Sequence, residues 1–323
     1  MRIANLALAS ALAVVVGASA AHAWPDRPIS MIVPFAAGGP TDTVARLVAE
    51  PMTRELGQQV IVENVGGAGG TLGAARVAKA DADGYTLLLH HIGQATSVAL
   101  YRKLSYDPVK DFAAIGLITD VPMTIVARHN LEPANFAELM TWAKAKKDDA
   151  TYANAGIGSA SHLCGMLLMS AMQVPMTTVA YKGTGPAMTD LLGGQVDLMC
   201  DQTTNTTSQI KAGKIKAYGV TTKTPVPALP DLPTLDQSGL PGFEVAVWHG
   251  LYAPAGTPKD VIQKLEAALQ KALKDPKVVE RFADLGTVPV AQERATPAAL
   301  QAHLEAEVAK WSPVIKAAGV YAD

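Results

Sequence analysis

Strong charge, aromatic side chains and long apolar runs are all scarce in this 323-residue sequence. The formal net charge is only −2, from 27 Lys and Arg against 29 Asp and Glu, which leaves no electrostatic basis for binding nucleic acid. Aromatic residues make up only 5%, while Ala, Gly and Val abound, which suits tightly packed α/β layers. These shortages exclude a nucleic-acid-binding protein and favour an ordinary α/β protein.

Motifs of the common catalytic classes are also missing. The sequence contains no P-loop, no H-E-x-x-H, no C-x-x-C and no G-x-S-x-G elbow. The glycine-rich stretch "VGGAGGTLG" fails the dinucleotide pattern, because its third glycine should stand at position 72, which is leucine. A nucleotide-dependent enzyme is therefore disfavoured, and no cofactor is expected.

The longest apolar run lies near the N-terminus, at residues 6–16, and is too short for a membrane span of about 20 residues. It follows Arg2 and precedes "GASAAHA", in which Ala21 and Ala23 fit the small-x-small cleavage rule. We expect residues 1–23 to be a signal peptide that is cleaved after Ala23. The residue directly after the cleavage point is Trp24 and not a cysteine, so a lipid anchor is not expected, and the product should be a periplasmic protein.

Only two cysteines are present, Cys164 and Cys200, and both lie in apolar segments. An oxidising compartment permits a disulfide between them, but sequence alone does not show that their Cα atoms come close enough. Buried free thiols are the alternative.

Short β-branched runs alternate with helical patterns along the chain, which is typical of βαβ units and a parallel sheet. The 300 residues after the signal peptide exceed what one core usually serves, so we expect two lobes, each a mostly parallel sheet flanked by helices, with a ligand cleft between them. We predict that lobe 1 comprises 24–124 plus 244–323 and that lobe 2 comprises 125–243. The stretches "DFAAIGLIT" and "MTIVARH" are predicted to be a pair of strands that leads from one lobe to the other.

After several predicted strands, Gly, Ser or Thr stand where a helix begins. Helix N-termini carry unpaired N–H groups and a partial positive charge, so they bind anions without a cationic residue. Ordinary N-capping by Ser, Thr and Asp explains any one such loop equally well. N-capping alone explains five such loops less well, because the carboxyl ends of the strands lie together at one crevice, where the loops could bind one ligand. The loops are "AAGGPTD" (36–42), "VGGAGGT" (65–71), "NAGIGSASH" (154–162), "YKGTGPA" (181–187) and "DQTTNTT" (201–207).

The histidines allow two enzymatic readings. A zinc site from His90, His162 and His249 is disfavoured, because their spacing is unlike any metal motif. A secreted hydrolase or lyase that acts on carboxylate esters could pair His162 with Asp201. Histidines that pack or contact a ligand are the favoured interpretation.

The stretch "WPDRPISMIVPFAAGGPTDTVAR" and the later blocks "VIVENVGGAGGTLGAARVAKADADGYTLLL", "LSYDPVKDFAAIGLI", "YKGTGPAMTDLLGGQVDLMCD" and "GLYAPAGTP" resemble the periplasmic solute receptors of tripartite tricarboxylate transporters, the Bug receptor family. The likeness covers almost the whole chain after the signal peptide. It implies a two-lobed binding protein of type II-like fold that is not an enzyme. Such a receptor closes around a small organic carboxylate and delivers it to a large and a small membrane subunit; we expect a monomer.

The resemblance also implies that loops of the two lobes hold one carboxylate through backbone N–H groups, hydroxyls and bridging waters. The residues that it points to are Phe35, Ala37, Gly39, Thr41 and Asp42 on one side and Gly158, Ser159, Ser161 and Thr184 on the other. Asp201 matches a family position and is expected to accept a hydrogen bond from a hydroxyl or a water.

The sequence departs from the family pattern in the distal pocket. Small polar residues often follow the third strand in the family, but "HHIGQATS" stands here, and Cys200 occupies a position where an aromatic residue is common. His90 or His91 is expected to donate to a second carboxylate, and Trp248 either flanks an aromatic ligand or packs in the core. The ligand is left open between aromatic dicarboxylates, such as the phthalate isomers, and aliphatic acids, such as adipate or citrate. A sensing role, in which the receptor docks on a membrane sensor, is also open.

Overall fold

The computed structural model describes residues 24–319, 321 and 322. The predicted signal peptide lies outside these residues, so its cleavage after Ala23 stays a prediction. None of the helices that the structure describes is long and apolar enough to cross a membrane.

The described part of the chain contains nine strands and ten α-helices in alternation, as the βαβ pattern predicted. The strands are β1 (Ile29–Val33), β2 (Val60–Asn64), β3 (Thr86–His91), β4 (Phe112–Arg128), β5 (Thr151–Asn154), β6 (Thr177–Ala180), β7 (Leu198–Gln202), β8 (Ile215–Val220) and β9 (Ala246–Pro254). The helices are α1 (Pro40–Leu56), α2 (Thr71–Ala78), α3 (Gly93–Leu100), α4 (Phe136–Lys146), α5 (Ala160–Met172), α6 (Thr184–Leu192), α7 (Thr203–Lys211), α8 (Lys259–Ala272), α9 (Pro276–Asp284) and α10 (Pro297–Ala318).

The strands form two groups that share β4. Lobe 1 has the order β2-β1-β3-β9-β4, and lobe 2 continues from β4 through β7 and β5 to β6, with β8 also paired to β4. Neighbours within the βαβ units run parallel, but β4 and β9 pair antiparallel with their neighbours. Each half of the sheet is therefore mixed, rather than mostly parallel as expected.

Strand β4 corrects the prediction of two separate strands in this region. Its 17 residues run without a break from lobe 1, where Phe112 to Pro122 pair with β9, into lobe 2, where Met123 to Arg128 pair with β7 and β8. Only four of these residues are partly exposed, because neighbouring elements cover the strand in both lobes. The predicted lobe boundary at residue 124 falls inside this strand, and the exact boundaries stay a prediction.

Helix α3 has no counterpart among the predicted elements, and its burial explains why. Seven of its eight residues are buried, polar Gln94, Thr96 and Ser97 included, so the helix shows no alternation of polar and apolar faces. By contrast, the buried residues of α8 recur at helical spacing, as in Val261, Leu265 and Leu269, which is the pattern that predicts a helix from sequence.

A disulfide joins Cys164 of α5 to Cys200 of β7, with the two Cα atoms 6.1 Å apart. Both cysteines are completely buried. The bond fastens the first turns of α5 to the end of β7, which lies beside Asp201.

Candidate functional site

Four helices begin around one buried cavity where the two lobes meet. They are α1 from lobe 1 and α5, α6 and α7 from lobe 2, and each follows the carboxyl end of a strand. The cavity has a volume of about 20 Å³, room for roughly one water molecule. No lysine or arginine is among its lining residues, which are Phe35, Gly39, Pro40, Thr41, His91, Ala155, Ser159, Ala160, Ser161, Thr184, Asp201 and Gln202.

Three of these helices begin without a side-chain cap. Gly39, Gly183 and Gln202 are the residues before α1, α6 and α7, and none of them accepts a hydrogen bond from its helix through a side chain. Only Ser159 caps its helix, since its Oγ accepts from the backbone N–H of His162. The first turns of α1, α6 and α7 therefore keep N–H groups available to an anion.

Eight of the twelve predicted binding residues line this cavity. They come from five segments that are far apart in the sequence: Phe35, Gly39 and Thr41, then His91, Ser159 and Ser161, and finally Thr184 and Asp201. The contact of these residues with a carboxylate stays a proposal.

The other four predicted residues do not line the cavity. Ala37 is exposed, and Gly158 contributes its carbonyl to Thr96 of α3 instead. The carboxylate of Asp42 accepts from the N–H of Gly38 and from the side chains of Arg46 and Asn64. His90, the fourth, packs in the wall behind the cavity.

The carboxylate of Asp42 is thus engaged in holding its own loop. Burial acts to raise the pKa of Asp42, but hydrogen bonds from Arg46, Gly38 and Asn64 outweigh it and lower the pKa below its ordinary value. Asp42 is therefore ionised and paired, and it orders the loop before α1 rather than facing a ligand.

His91 and Phe35 form an aromatic wall of the cavity, with their rings stacked at 4.6 Å. His90 lies behind them, and its Nδ1 accepts from the backbone N–H of His91 at 2.8 Å. Burial lowers the pKa of His91 well below its usual range and that of His90 to about 3. Both rings are neutral at pH 7. Since Nδ1 of His91 accepts from Gly93, its Nε2 carries the proton and is a donor.

The opposite wall carries buried oxygens. Asp201, Thr184 and Gln202 are at most 5% exposed, and Gln202 Oε1 has no hydrogen-bond partner in the structure. Burial raises the pKa of Asp201 to about 6, against the opposing effect of hydrogen bonds from the Asn205 amide, the Gln202 backbone and the Thr184 hydroxyl.

Gln202 was not singled out by the sequence reasoning, although it lies in the predicted loop 201–207. Its amide carries no motif, and only its position at the end of β7 turns it toward the cavity. His249 was considered as a metal ligand or, preferably, as a histidine that packs or contacts a ligand. In the structure its Nε2 lies 3.4 Å from the hydroxyl of Thr41, so it supports a residue of the cavity.

At the rim of the cavity, side-chain hydroxyls of lobe 1 contact backbone carbonyls of lobe 2. The hydroxyl of Tyr101 in lobe 1 lies 2.9 Å from the Ile157 carbonyl in lobe 2 and 2.6 Å from the Ala68 carbonyl. The hydroxyl of Thr96 donates to the Gly158 carbonyl at 3.3 Å. The loop before α5 is therefore held by α3 and by the residue that follows it, and the cavity is closed on this side.

The described residues do not assemble either enzymatic alternative. No hydrogen bond joins His162 to Asp201 among them: Nδ1 of His162 accepts from the Gly158 N–H, and one oxygen of Asp201 takes the Asn205 amide. Burial alone lowers the pKa of His162. Within the same residues no group of three or more His, Cys, Asp or Glu is arranged to hold a metal ion.

Trp248 packs rather than facing the cavity. It is 3% exposed, its ring meets that of His303 edge-on, and its Nε1 donates to Glu307 of α10. It therefore fastens β9 to α10.

Two α/β lobes joined by crossing strands, with a cation-free polar cavity between them, define a periplasmic binding protein of the two-lobed kind. Comparison with known proteins narrows this class. The chain belongs to the tripartite tricarboxylate transporter receptor family, whose model matches residues 44–320.

Relatives of known sequence or structure agree with this membership. The "UPF0065 protein in the TAR-I ttuE-ttuC' intergenic region" of Agrobacterium vitis is 58% identical over 94% of this chain and 87% of its own length. The structure of the periplasmic binding protein BugD is 55% identical, with a TM-score of 0.90 over 92% of this chain and 99% of that one. MatC from Rhodopseudomonas palustris, solved with bound malate, is 42% identical, with a TM-score of 0.88 over 90% of this chain and 100% of that one.

Proposed function

We propose that this receptor captures a small organic dicarboxylate or tricarboxylate in the cavity between its lobes and delivers it to a membrane transporter. The observation that carries the proposal is the meeting of four helix N-termini at one buried cavity that has no lysine or arginine in its lining. Such a site suits an anion, and a carboxylate in particular, since its two oxygens accept from N–H groups and hydroxyls at once.

The energetics suffice without a cation. A hydrogen bond to a charged group is worth ~1.5–3 kcal/mol, so a handful of them supports micromolar or tighter binding after the cost of ordering. Thr41, Ser159 and Ser161 supply hydroxyls beside the helix N-termini. Because the donors come from both lobes, ligand stabilises the closed arrangement over the open one.

Of the aromatic and aliphatic acids, we favour short aliphatic ones. The closed cavity is small, and its wall already contains the stacked rings of Phe35 and His91. An aromatic dicarboxylate needs the two lobes to stay further apart than a four-carbon acid does. The malate bound to MatC supports the same choice.

Membership in a receptor family of tripartite transporters supports delivery to a large and a small membrane subunit. We propose that the receptor works as a monomer in the periplasm after cleavage at Ala23. Uptake of radiolabelled ligand into membrane vesicles tests delivery. It should require the receptor and both membrane subunits together, whereas uptake that is unchanged without the subunits points to the sensing role.

Thermal-shift measurements across a panel of acids test the binding function. Succinate, malate, citrate, adipate and phthalate are compared with leucine and glucose, because a bound ligand raises the melting temperature according to RT ln(1 + [L]/Kd). We expect at least one aliphatic carboxylate to raise it, with a stoichiometry near one by calorimetry and with the acid recovered unchanged. Turnover of the acid or its esters, or a shift with glucose but no carboxylate, contradicts the proposal.

A further inference from the structure

Strands β5 and β7 separate beside the cavity. They pair in parallel up to Ala153 and Met199, and beyond these residues β7 continues, in the described registers, with β4 alone. The beginning of α5 contributes Ser161 to the cavity lining, and the end of β7 contributes Asp201 and Gln202. The shape of this part of the site therefore depends on how α5 is held relative to the end of β7.

The side chain of Tyr152, on β5, bridges the two elements. Its hydroxyl donates to the backbone carbonyl of Ser161 at 2.7 Å and accepts from the backbone N–H of Cys200 at 3.1 Å. Tyr152 is completely buried, and burial raises its pKa above the ordinary value, so the hydroxyl keeps its proton and can donate and accept at once. One oxygen thus links a residue that lines the cavity to the neighbour of Asp201.

The ring of Tyr152 fits closely against α5 at Gly165. A Cβ on Gly165 would lie 2.2 Å from Cε1 of Tyr152 and 2.8 Å from its hydroxyl oxygen, so a larger residue does not fit while the ring is in place. Glycine inside a helix is less favourable than alanine, and the ring of Tyr152 explains its presence here. The ring and the helix therefore have a defined relative position.

The disulfide joins the same two elements at a different point. It links Cys164 to Cys200 with the Cα atoms 6.1 Å apart, which fixes a distance but still allows α5 to tilt about the bond. The hydroxyl of Tyr152 adds an attachment at Ser161, three residues nearer to the start of the helix. Two attachments fix orientation as well as distance, and a binding site needs its groups placed to within about 0.5 Å.

We propose that Tyr152 is a positioning residue for ligand binding, whose hydroxyl holds the start of α5 and the end of β7 in the relative position that the ligand requires. Tyr152 is not among the residues that line the cavity, so it acts through Ser161 and the end of β7 rather than by touching the ligand. The inference rests on the proposed function, since it concerns the carboxylate site.

The variant Tyr152→Phe tests the inference, because it removes one oxygen and keeps the ring. We expect it to bind the preferred acid of the thermal-shift panel at least about fivefold more weakly by calorimetry, the equilibrium effect of one neutral hydrogen bond. Since Tyr152 does not touch the ligand, every acid that binds should lose affinity by a similar factor. Far-ultraviolet circular dichroism, well below the melting temperature, checks that the variant is folded.

Tyr218→Phe is the matched control. Tyr218 is also buried in lobe 2, and its hydroxyl donates to the carbonyl of Pro133 at 2.9 Å, away from the cavity. Both variants lose a buried hydroxyl, so both should unfold at a lower urea concentration than the wild type. Tyr218→Phe should nevertheless bind within about twofold of the wild type, which separates positioning from a general loss of stability.

Hydrogen exchange of the Cys200 amide, measured by nuclear magnetic resonance without ligand, tests the bridge itself. The amide should be protected in the wild type and should exchange at least about tenfold faster in Tyr152→Phe, because it loses its acceptor. Rapid exchange in the wild type overturns the inference without reference to any variant.

The failure of the inference and that of the proposed function are distinguishable. Unchanged affinity of a folded Tyr152→Phe, or an equal loss of affinity in Tyr152→Phe and Tyr218→Phe, overturns the positioning role and leaves the carboxylate function intact. Absence of binding of every acid in the panel to the wild type overturns the proposed function and the inference with it.

Discussion

The backbone N–H of Ala36 donates to the carbonyl of Lys182 at 3.0 Å and so joins the loop before α1 in lobe 1 to the loop before α6 in lobe 2. The two loops can approach this closely because Gly183, which faces Ala36, and Gly185, which faces Ala37, have no side chains. A Cβ on Gly185 would lie 2.8 Å from the carbonyl oxygen of Ala37, and its other near neighbours also belong to lobe 1. The lobes therefore meet backbone to backbone at this point of the rim.

Gly185→Ala is expected to weaken ligand binding without damaging the fold. Alanine suits the first turn of α6 better than glycine does, but its methyl group collides with Ala37 when the lobes close. Overpacking of this kind costs about 1–3 kcal/mol, so we expect binding at least about fivefold weaker by calorimetry, with an unchanged or higher melting temperature in the absence of ligand. Gly193→Ala, at the other end of the same helix, should bind like the wild type. Equal affinities for the two variants would show that this contact is absent from the bound state.

Thr184→Val is expected to weaken binding of every carboxylate by about tenfold. The hydroxyl of Thr184 is buried in the cavity, where its hydrogen bond to Asp201 is one of three that oppose the raised pKa of that carboxyl, so the unfolding free energy of the variant should fall by no more than about 1 kcal/mol. Calorimetry and urea denaturation measure the two quantities. Thr189→Val changes an exposed hydroxyl on the same helix and serves as the control. A loss of stability with unchanged affinity would contradict a role in binding.

Acid should destabilise the receptor below about pH 6.5 because His90, His91 and His249 are buried and neutral. Burial lowers the pKa of His249 to about 4 and that of His90 to about 3, whereas unfolded histidines titrate near 6.5. As the pH falls below 6.5, histidines of the unfolded chain become protonated while the buried ones stay neutral, so the free energy of unfolding decreases. The contribution of His249 to this decrease ends near pH 4 and that of His90 near pH 3, where the native side chains become protonated too.

At pH 5 this loss amounts to about 2 kcal/mol for each such histidine. The raised pKa of Asp201 increases stability as the pH falls from about 6 to about 4, but this one carboxyl acts against three histidines. Urea denaturation at pH 7.5 and 5.0 measures the difference. His90→Asn should lose about 2 kcal/mol less than the wild type, and His129→Gln, at an exposed position, should lose the same amount as the wild type. An identical loss in His90→Asn and the wild type would be inconsistent with a neutral buried His90.

Replacing both Cys164 and Cys200 by alanine is expected to lower the unfolding free energy by about 4 kcal/mol. The bond closes a loop with a sequence separation of 36, and the loss follows from the greater freedom of the unfolded chain. Denaturation with and without reductant measures it. Reductant should destabilise the wild type to the level of the double variant and should leave the double variant itself unchanged. A wild type that is equally stable in both conditions would show that the bond adds no stability.

Local signals in the sequence were enough to predict most elements of the fold. The strand over Ile29–Val33 and the helix that follows it could be read from β-branched runs and helical spacing. Continuity of β4 could not be predicted, because its central residues look like a turn between two strands until β9 is paired beside them. Helix α3 could not be predicted either, because it is buried on all sides and its sequence therefore lacks the periodic pattern of an amphipathic helix.

The site was predictable where a residue type follows from helix-start chemistry, as for Thr41 and Ser159. It was not predictable where the direction in which the backbone turns a residue decides whether that residue lines the cavity. Ala37 and Gly39 belong to the same loop, yet only Gly39 faces the cavity, because the loop bends around the carboxylate of Asp42. Gln202 shows the reverse case, in which a residue without any motif is brought to the cavity by the end of β7.

Strand β4 also determines when each lobe can be completed as the chain is made. All the strands that pair in lobe 2 precede residue 221, so its sheet can assemble while the C-terminal third is still missing. Lobe 1 cannot, because β9 must insert between β3 and β4 after more than a hundred further residues have been added. Such distant pairings form slowly, so the N-terminal half of lobe 1 stays incomplete until synthesis has passed Pro254.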